Sequence, residues 1–163
     1  MKKIGLLSDT HAYWDEKYQT YFSECDEIWH AGDIGSEDVL NRLEKIKPVR
    51  AVHGNIDDYH IRAICPKTLR FREENVDVLL THIGGYPGKY APEIRQEIEA
   101  NPPKLFVCGH SHILKIMYDN RRDMLCVNPG AAGKYGFHQV RTLLRFAIDG
   151  SEIKNMEIIE LKA

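Results

Sequence analysis

Trp29-His-Ala-Gly-Asp-Ile-Gly35 is the stretch on which the reading of this chain turns. Ile28 and Trp29 close a short buried strand, and the glycines on either side of Asp33 let the backbone turn sharply behind it. That puts the Asp33 carboxylate at the C-terminal edge of a sheet, where α/β proteins place their ligand crevices. The arrangement recurs. Ile4-Gly-Leu-Leu7 leads to Asp9 and His11, Val49-Arg-Ala-Val52 to Asn55, and Val78-Leu-Leu80 to His82. Leu105-Phe-Val-Cys108 leads to Gly109, His110 and His112. Five apolar runs therefore each end in oxygen or imidazole donors of the kind first-row metals take.

Working outward, the chain alternates strand and helix before turning to strands. A first strand over 3–8 is followed by Tyr18, Tyr21, Phe22 and Cys25 at helical spacing, which predicts a helix over 15–25. Ser36 is placed to cap a second helix, with Glu37 and Asp38 at its positive end. Val39, Leu40, Leu43 and Ile46 form the buried stripe of that helix, and Pro48 stops it. A strand at 49–52 comes next, then a hairpin of 68–72 and 76–81 turning at Glu73-Glu74-Asn75. Pro92 opens a short helix with Ile94 and Ile98 inward, and Pro102-Pro103 closes it. After the strand at 105–108 come two hairpins, 113–118 with 124–127 and 141–148 with 152–160, the second about Asp149-Gly150. Mixed βα units followed by antiparallel strands predict two packed sheets with helices outside, in one domain spanning residues 1–163.

Composition bounds the function. The chain has 163 residues, 43% hydrophobic and 28% charged, enough for a real core. Its net charge of −2 disfavours long nucleic acid and a polybasic membrane anchor. No apolar run approaches the ~20 residues of a membrane span. Met1-Lys-Lys-Ile4 enters a strand without a signal-peptide core, so the expected location is the cytoplasm and no membrane partner is expected. Cys25, Cys65, Cys108 and Cys126 show no paired spacing and read as reduced, buried thiols.

The donors divide into two sets. Asp9 and His11 share a loop and suit one metal, with His112 returning to it. Asn55, His82 and His110 suit a second, and Asp33 is the candidate bridge, one oxygen to each ion. In an extended loop side chains alternate, so His110 and His112 address different ions. Two metals ~3.5–4 Å apart clamp the attacking and leaving oxygens of a phosphoryl transfer. Two divalent ions, offset by the Asp9 and Asp33 carboxylates and a bridging hydroxide, leave about one positive charge for an anionic ester. Asp33, Asn55 and His110 are the candidate catalytic residues. Alone, each residue has an ordinary reading: a solvated histidine, a turn Asp, or a turn Asn after Gly54. It is the joint pattern that points to metal. Of the other histidines, His30 and His53 can hydrogen-bond to ligands, whereas His60 and His138 suit surface or structural roles.

Asp9-Thr-His11, Gly32-Asp33, Gly54-Asn55, His82 and Gly109-His-Ser-His112 together resemble, in order, the signature of the calcineurin-like metallophosphoesterase superfamily. The short length and Asn128-Pro-Gly130 are similar to its small bacterial and archaeal phosphodiesterase branch, to which the retromer subunit of the same fold also belongs. The resemblance implies an α-β-β-α sandwich with mixed parallel and antiparallel strands. It also implies a dinuclear centre and phosphoester hydrolysis, most simply of a small diester, nucleotide-like among others. The metal it implies is manganese, with zinc, iron or nickel as alternatives. The first ion takes Asp9, His11, Asp33 and His112, and the second takes Asp33, Asn55, His82 and His110. A phosphomonoesterase or nuclease is the enzymatic alternative, and a binding scaffold that has lost catalysis is the third; a homo-oligomer is left open.

One departure stands out. Many larger members carry a His after the Asn that protonates the leaving group; here Ile56 holds the place, with Asp57 beside it to orient a ring at that position. Losing a general acid costs ~10²–10⁴-fold, which predicts a preference for good leaving groups. Around the ligands, Tyr13, Trp14, Tyr59, Tyr86 and Lys89 are placed to meet substrate, the aromatics either stacking on a base or aryl group or packing half-exposed. Tyr13, Ile56, Tyr86 and Lys89 are the substrate-contact candidates. Lys134 and Arg141 either meet phosphate or are solvated.

Overall fold

The computed structural model describes residues 1–162. Strand β1 (Lys2–Leu7) runs parallel to β2 (Glu27–His30), and β2 to β3 (Val49–Ala51). The C-terminal hairpin, β11 (Arg141–Asp149) and β12 (Glu152–Leu161), returns to the free edge of β1, giving a first sheet in the order β12-β11-β1-β2-β3. The second sheet, β4-β5-β8-β10-β9, joins the hairpin β4 (Thr68–Glu73) and β5 (Val76–Thr81) to β8 (Leu105–Val107). Strands β10 (Met124–Pro129) and β9 (Leu114–Asp119) complete it. Both sheets are mixed, as expected.

Alternation along β1 shows how the layers form. Ile4 and Leu6 point between the sheets, into a cluster with Trp29, Val78, Leu80 and Val107. Leu7 points outward, beneath α1 (Glu16–Phe22) and α2 (Glu37–Ile46). On the far side α4 (Pro92–Ala100) buries Ile94 and Ile98 against Leu79 and Phe106. Helices therefore lie outside both sheets, the α-β-β-α order the sequence predicts. All four cysteines are buried and unpaired with one another. No helix among the described residues is long and apolar enough to cross a membrane.

Three details differ from expectation. Helix α1 ends at Phe22 rather than 25, where the Ser23 N–H closes on Gln19 O; Cys25 is still buried, but in the turn beyond. A helix α3 (Tyr59–Ile64), capped by the Asp58 carboxylate accepting from Ile61 N–H, occupies what the periodicity left without structure. A two-residue ribbon, β6 (Gly85–Tyr86) with β7 (Lys89–Tyr90), folds the loop after β5.

At the end of the sandwich away from the strand C-termini of β1–β3, Glu27 and Glu73 share Arg50. Burial, then the hydrogen bond that the protonated carboxyl donates to Glu27, pushes Glu73 up to about 7. The folded state thus holds a proton that the unfolded chain releases near pH 4.5. This stabilisation is complete below that pH and is lost as pH rises through about 7. Glu73→Gln is expected to raise stability at pH 8 by about 1–2 kcal/mol and to leave it unchanged near pH 4, read from urea midpoints at both pH values. An equal effect at both would contradict a shared proton.

Candidate metal centre

The seven donors read from the sequence converge at the C-terminal ends of β1, β2, β3, β5 and β8. Asp9, His11 and His112 form one group with their ligand atoms within 4.8 Å of one another, and Asp33, His82 and His110 form a second. Asn55 Oδ1 lies 3.1 Å from His110 Nδ1, which adds it to the second. Two donor sets are therefore present in the partition that the sequence suggests.

The backbone that achieves this is unusual. Asp9, His11, Asp33, His110 and His112 all have positive φ, between 45° and 73°, and so does Ala12 at 67°. Non-glycine residues in this region each cost on the order of 1 kcal/mol and persist only where the surroundings over-determine them. Extended alternation would put residues two apart on one face, contrary to the expectation from sequence; the loop at His110 is left-handed at both histidines, and that conformation sends them to different sets. Close approach is enforced by glycine: a Cβ at Gly54 would collide with Asp33 Oδ1, and one at Gly109 with Ser8 Oγ.

Each carboxylate is used asymmetrically. Asp9 Oδ2 accepts from Ser8 Oγ–H at 2.6 Å and His110 N–H at 3.1 Å. Its Oδ1 faces His112 Nε2 at 3.2 Å, His11 Nε2 at 3.8 Å and His82 Nε2 at 3.9 Å. Asp33 Oδ1 accepts from Ile56 N–H at 3.1 Å, leaving Oδ2 at 3.1 Å from His82 Nε2 and 3.5 Å from His11 Nε2. A bridge from both Asp33 oxygens, expected from sequence, would need Oδ1 to serve an ion while it accepts from Ile56 N–H. Oδ2 alone faces both donor sets, because Oδ1 is held by the loop of Asn55.

These atoms fit a cation. Asp9 Oδ1, His11 Nε2 and His82 Nε2 are buried without a hydrogen-bond partner. His82 Nδ1 lies 2.8 Å from Ala31 O, so the proton belongs on Nδ1 and the Nε2 lone pair points at Asp33 Oδ2. Lone pairs facing lone pairs across 3.1–3.9 Å repel unless a positive charge lies between them. Absent an ion, imidazole protons supply that charge: burial works to lower the His82 pKa, but the hydrogen bond to Asp33 and the charges of Asp9 and Asp33 outweigh it and raise it. Burial works to raise the Asp9 pKa, but His11 and His112 outweigh it and hold the carboxyl well below its usual range. For Asp33 too burial is outweighed, here by His82, and its pKa is lowered. Both carboxylates are thus ionised, and the field they make at His82 is the field a divalent ion would meet.

Residues outside the seven hold the cradle. His30, fully buried and pushed down to about 4 by desolvation, is neutral. Its Nδ1 accepts from Gly32 N–H at 3.0 Å, and its Nε2–H meets Thr10 Oγ1 at 3.0 Å. His30 therefore bonds the neighbours of Asp9 and Asp33 and not the ligands themselves. His53 Nδ1 meets Cys65 O, and His60 is exposed beside Glu37. His138 bonds Gly133 O and packs edge-on against His112 at 5.2 Å. Asp57 accepts from Gly54 N–H, Gly35 N–H and Ile34 N–H at 2.8, 2.8 and 3.2 Å, tying the Asp33 loop to the Asn55 loop. Its carboxylate is buried and committed to these three N–H groups, which holds it away from orienting a side chain at 56.

The substrate-contact candidates are scattered. Ile56 is 46% exposed beside Asn55. Tyr86 and Lys89 line a cavity that also reaches His110. Tyr13 is half-buried, with Lys134 Nζ and the Arg141 guanidinium each 4.8 Å from its ring. Arg141 is neither solvated nor placed for phosphate: it is buried on Asp15, Ala132 O and Lys162 O. Tyr59 is exposed and packs on His60. One neighbour is absent from the sequence reading: Tyr135, stacked on His11 at 4.9 Å from a loop that has no periodicity to reveal it.

Comparison with known proteins adds the following. The model of the calcineurin-like phosphoesterase superfamily domain matches residues 1–151. A probable metallophosphoesterase of Methanothermobacter thermautotrophicus is 32% identical over 136 residues, covering 78% of this chain and 76% of that one. Among solved structures, an archaeal phosphodiesterase superposes with a TM-score of 0.78 at 21% identity, over 98% of this chain and 99% of that one. Vps29 of Entamoeba histolytica complexed with Zn²⁺ gives 0.75 at 15% identity, over 98% of each chain. The last two likenesses are of fold.

Proposed function

The chain belongs to the calcineurin-like phosphoesterase superfamily, a family of metal-dependent hydrolases of phosphoric esters, and from that premise we propose that it is a dinuclear phosphodiesterase acting on small diesters. The observation that carries the reading is Asp33 Oδ2, which faces His11 in one donor set and His82 in the other. Asp9, His11, Asp33 and His112 would hold one ion, and Asp33, Asn55, His82 and His110 the other. When bound, such ions supply Lewis-acid polarisation of the phosphoryl oxygens and a water activated near neutral pH. The donors are carboxylate, amide and imidazole without thiolate, which suits manganese, zinc, iron or nickel.

A diester is favoured over a monoester by what the cations do. Arg62 donates to Asp57 O, Gly54 O and Asn55 O, and Arg141 is committed to Asp15 and two carbonyls. Neither guanidinium is available to clamp the second charge of a monoester dianion, and Lys89 and Lys115 line the cavity beside the centre, where an ester group and not a second phosphoryl charge would lie; a diester monoanion has no second charge to clamp. His110, tethered to Asn55 and at the cleft surface, is the imidazole placed nearest to an entering ester. The alternative, a binding scaffold, would hold metal on the same donors and leave an activated diester intact. The protein is proposed to work on a small soluble ester, in the cytoplasm.

Leaving-group dependence tests the reading. With Ile56 at the place of a proton donor, rates for a diester series are expected to fall steeply with leaving-group pKa, aryl far above alkyl, and diesters to exceed the matching monoesters. Ile56→His is expected to fold normally, since Ile56 is 46% exposed. Its gain with alkyl diesters is expected to stay below about tenfold, because Asp57 cannot orient the new ring. A flat dependence in the parent, or a gain of 10²-fold or more in the variant, would contradict this account of position 56.

A further inference from the structure

Beside the candidate centre, on the His110 side, opens a cavity of about 300 Å³. Three separate parts of the chain build its wall: Ile83 and Tyr86 from the segment after β5, Cys108 and Ile113 flanking the His110 loop, and Cys126 from β10. The wall is apolar. Two cations stand among the lining residues, Lys89 and Lys115. Lys115 Nζ is held 4.0 Å from the Tyr86 ring centre. The lysine ion pairs of the described residues are Lys67–Glu93 and Lys154–Asp149, so Lys89 and Lys115 keep their charge toward the cavity.

What links this cavity to chemistry is His110. The same imidazole lines the cavity and stands in the Asp33–His82 donor set, so the two spaces share one wall. A phosphoryl group at the centre has its ester oxygens within one residue of the cavity mouth. The volume lies at the small end of ligand sites, suited to one ring system and too small for a dinucleotide.

We propose that this cavity is the specificity site for one ester group of the substrate, and that it takes a single aromatic ring, an aryl group or a pyrimidine-sized base. The inference rests on the phosphoesterase reading and names the substrate class that reading leaves open. Tyr86, with the Lys115 ammonium over its ring, supplies an aromatic wall. Ile83 and Ile113 supply the apolar contact. The lysines are placed to meet oxygen substituents on the ring.

Non-hydrolysable phosphinates, monoanions like a diester, test this without turnover. On the metal-replete protein, methyl(phenyl)phosphinate is expected to bind at least about tenfold tighter than dimethylphosphinate, measured by calorimetry. Ile113→Asp, at a site 60% exposed and therefore tolerant, and Tyr86→Ala on the surface ribbon are each expected to cut that ratio to about two. A ratio near one in the parent, or a ratio untouched by both variants, overturns the proposal. If dimethylphosphinate binds and an activated diaryl phosphate is hydrolysed but the aryl preference is missing, the cavity assignment alone fails. If neither binding nor metal-dependent hydrolysis occurs, the phosphoesterase reading fails and the cavity assignment with it.

Discussion

Asp33→Asn is expected to lower kcat/KM at least about 10³-fold, some 4 kcal/mol of transition-state stabilisation, while the protein stays folded. Asn keeps the shape, and its Oδ1 can still accept from Ile56 N–H, the bond that fixes the side chain at 3.1 Å. What it removes is the negative charge at Oδ2, the atom within 3.5 Å of one imidazole in each donor set. Both ions would then be held more weakly, and the repulsion between them would lose its screen. His30→Ala is the comparison. His30 touches Gly32 and Thr10 and no ligand side chain, so its loss should cost only ~10–100-fold. Equal losses for the two variants, measured with folding checked by circular dichroism, would refute the bridging role of Asp33.

The second large effect is structural. Asp57→Ala removes a carboxylate that accepts three backbone N–H groups from the two loops carrying Asp33 and Asn55. Hydrogen bonds to a charged group are each worth about 1.5–3 kcal/mol, and the three N–H groups are left in a region with little water to replace them. A total loss near 3 kcal/mol is expected, or a Tm lower by about 6–12 °C. Activity should fall more than stability explains, by about 10²-fold at a temperature where the variant is folded, because Asp33 and Asn55 lose their relative position. Unchanged Tm with unchanged activity would show that Arg62 and the loop backbone alone hold the two segments together.

The donors were legible in the sequence because each follows an apolar run that can only be a strand, and strand ends in an α/β sandwich converge. The same logic gave the helices with a clear stripe, such as Val39, Leu40 and Leu43 of α2. Helix α3 escaped because six residues bury only Ile61, too few for a period to show, although Asp58 was a legible cap. The ribbon at 85–90 escaped because its strands are two residues long. Conformation was the larger omission. Nothing in the composition of Gly-His-Ser-His announces two left-handed histidines; His110 and His112 fall in different donor groups through that conformation and not through the extended loop assumed from sequence. Long polar side chains were equally opaque. Arg141 looked like a phosphate contact and is a buried strut to Asp15, and Asp57 looked like a partner for position 56 and is the pin between two loops. Such roles depend on residues up to 126 positions away, which local spacing does not encode.

Two divalent ions per chain are the centre of the account, and counting them is the most direct test. The purified protein would be stripped with a chelator, reconstituted with manganese and separately with zinc, freed of excess metal and analysed for metal per chain. Two equivalents are expected, falling to at most one in Asp33→Asn, with hydrolysis of an activated aryl diester abolished by chelation and restored by metal. One equivalent or none in the parent protein, or hydrolysis that survives exhaustive chelation, would contradict it.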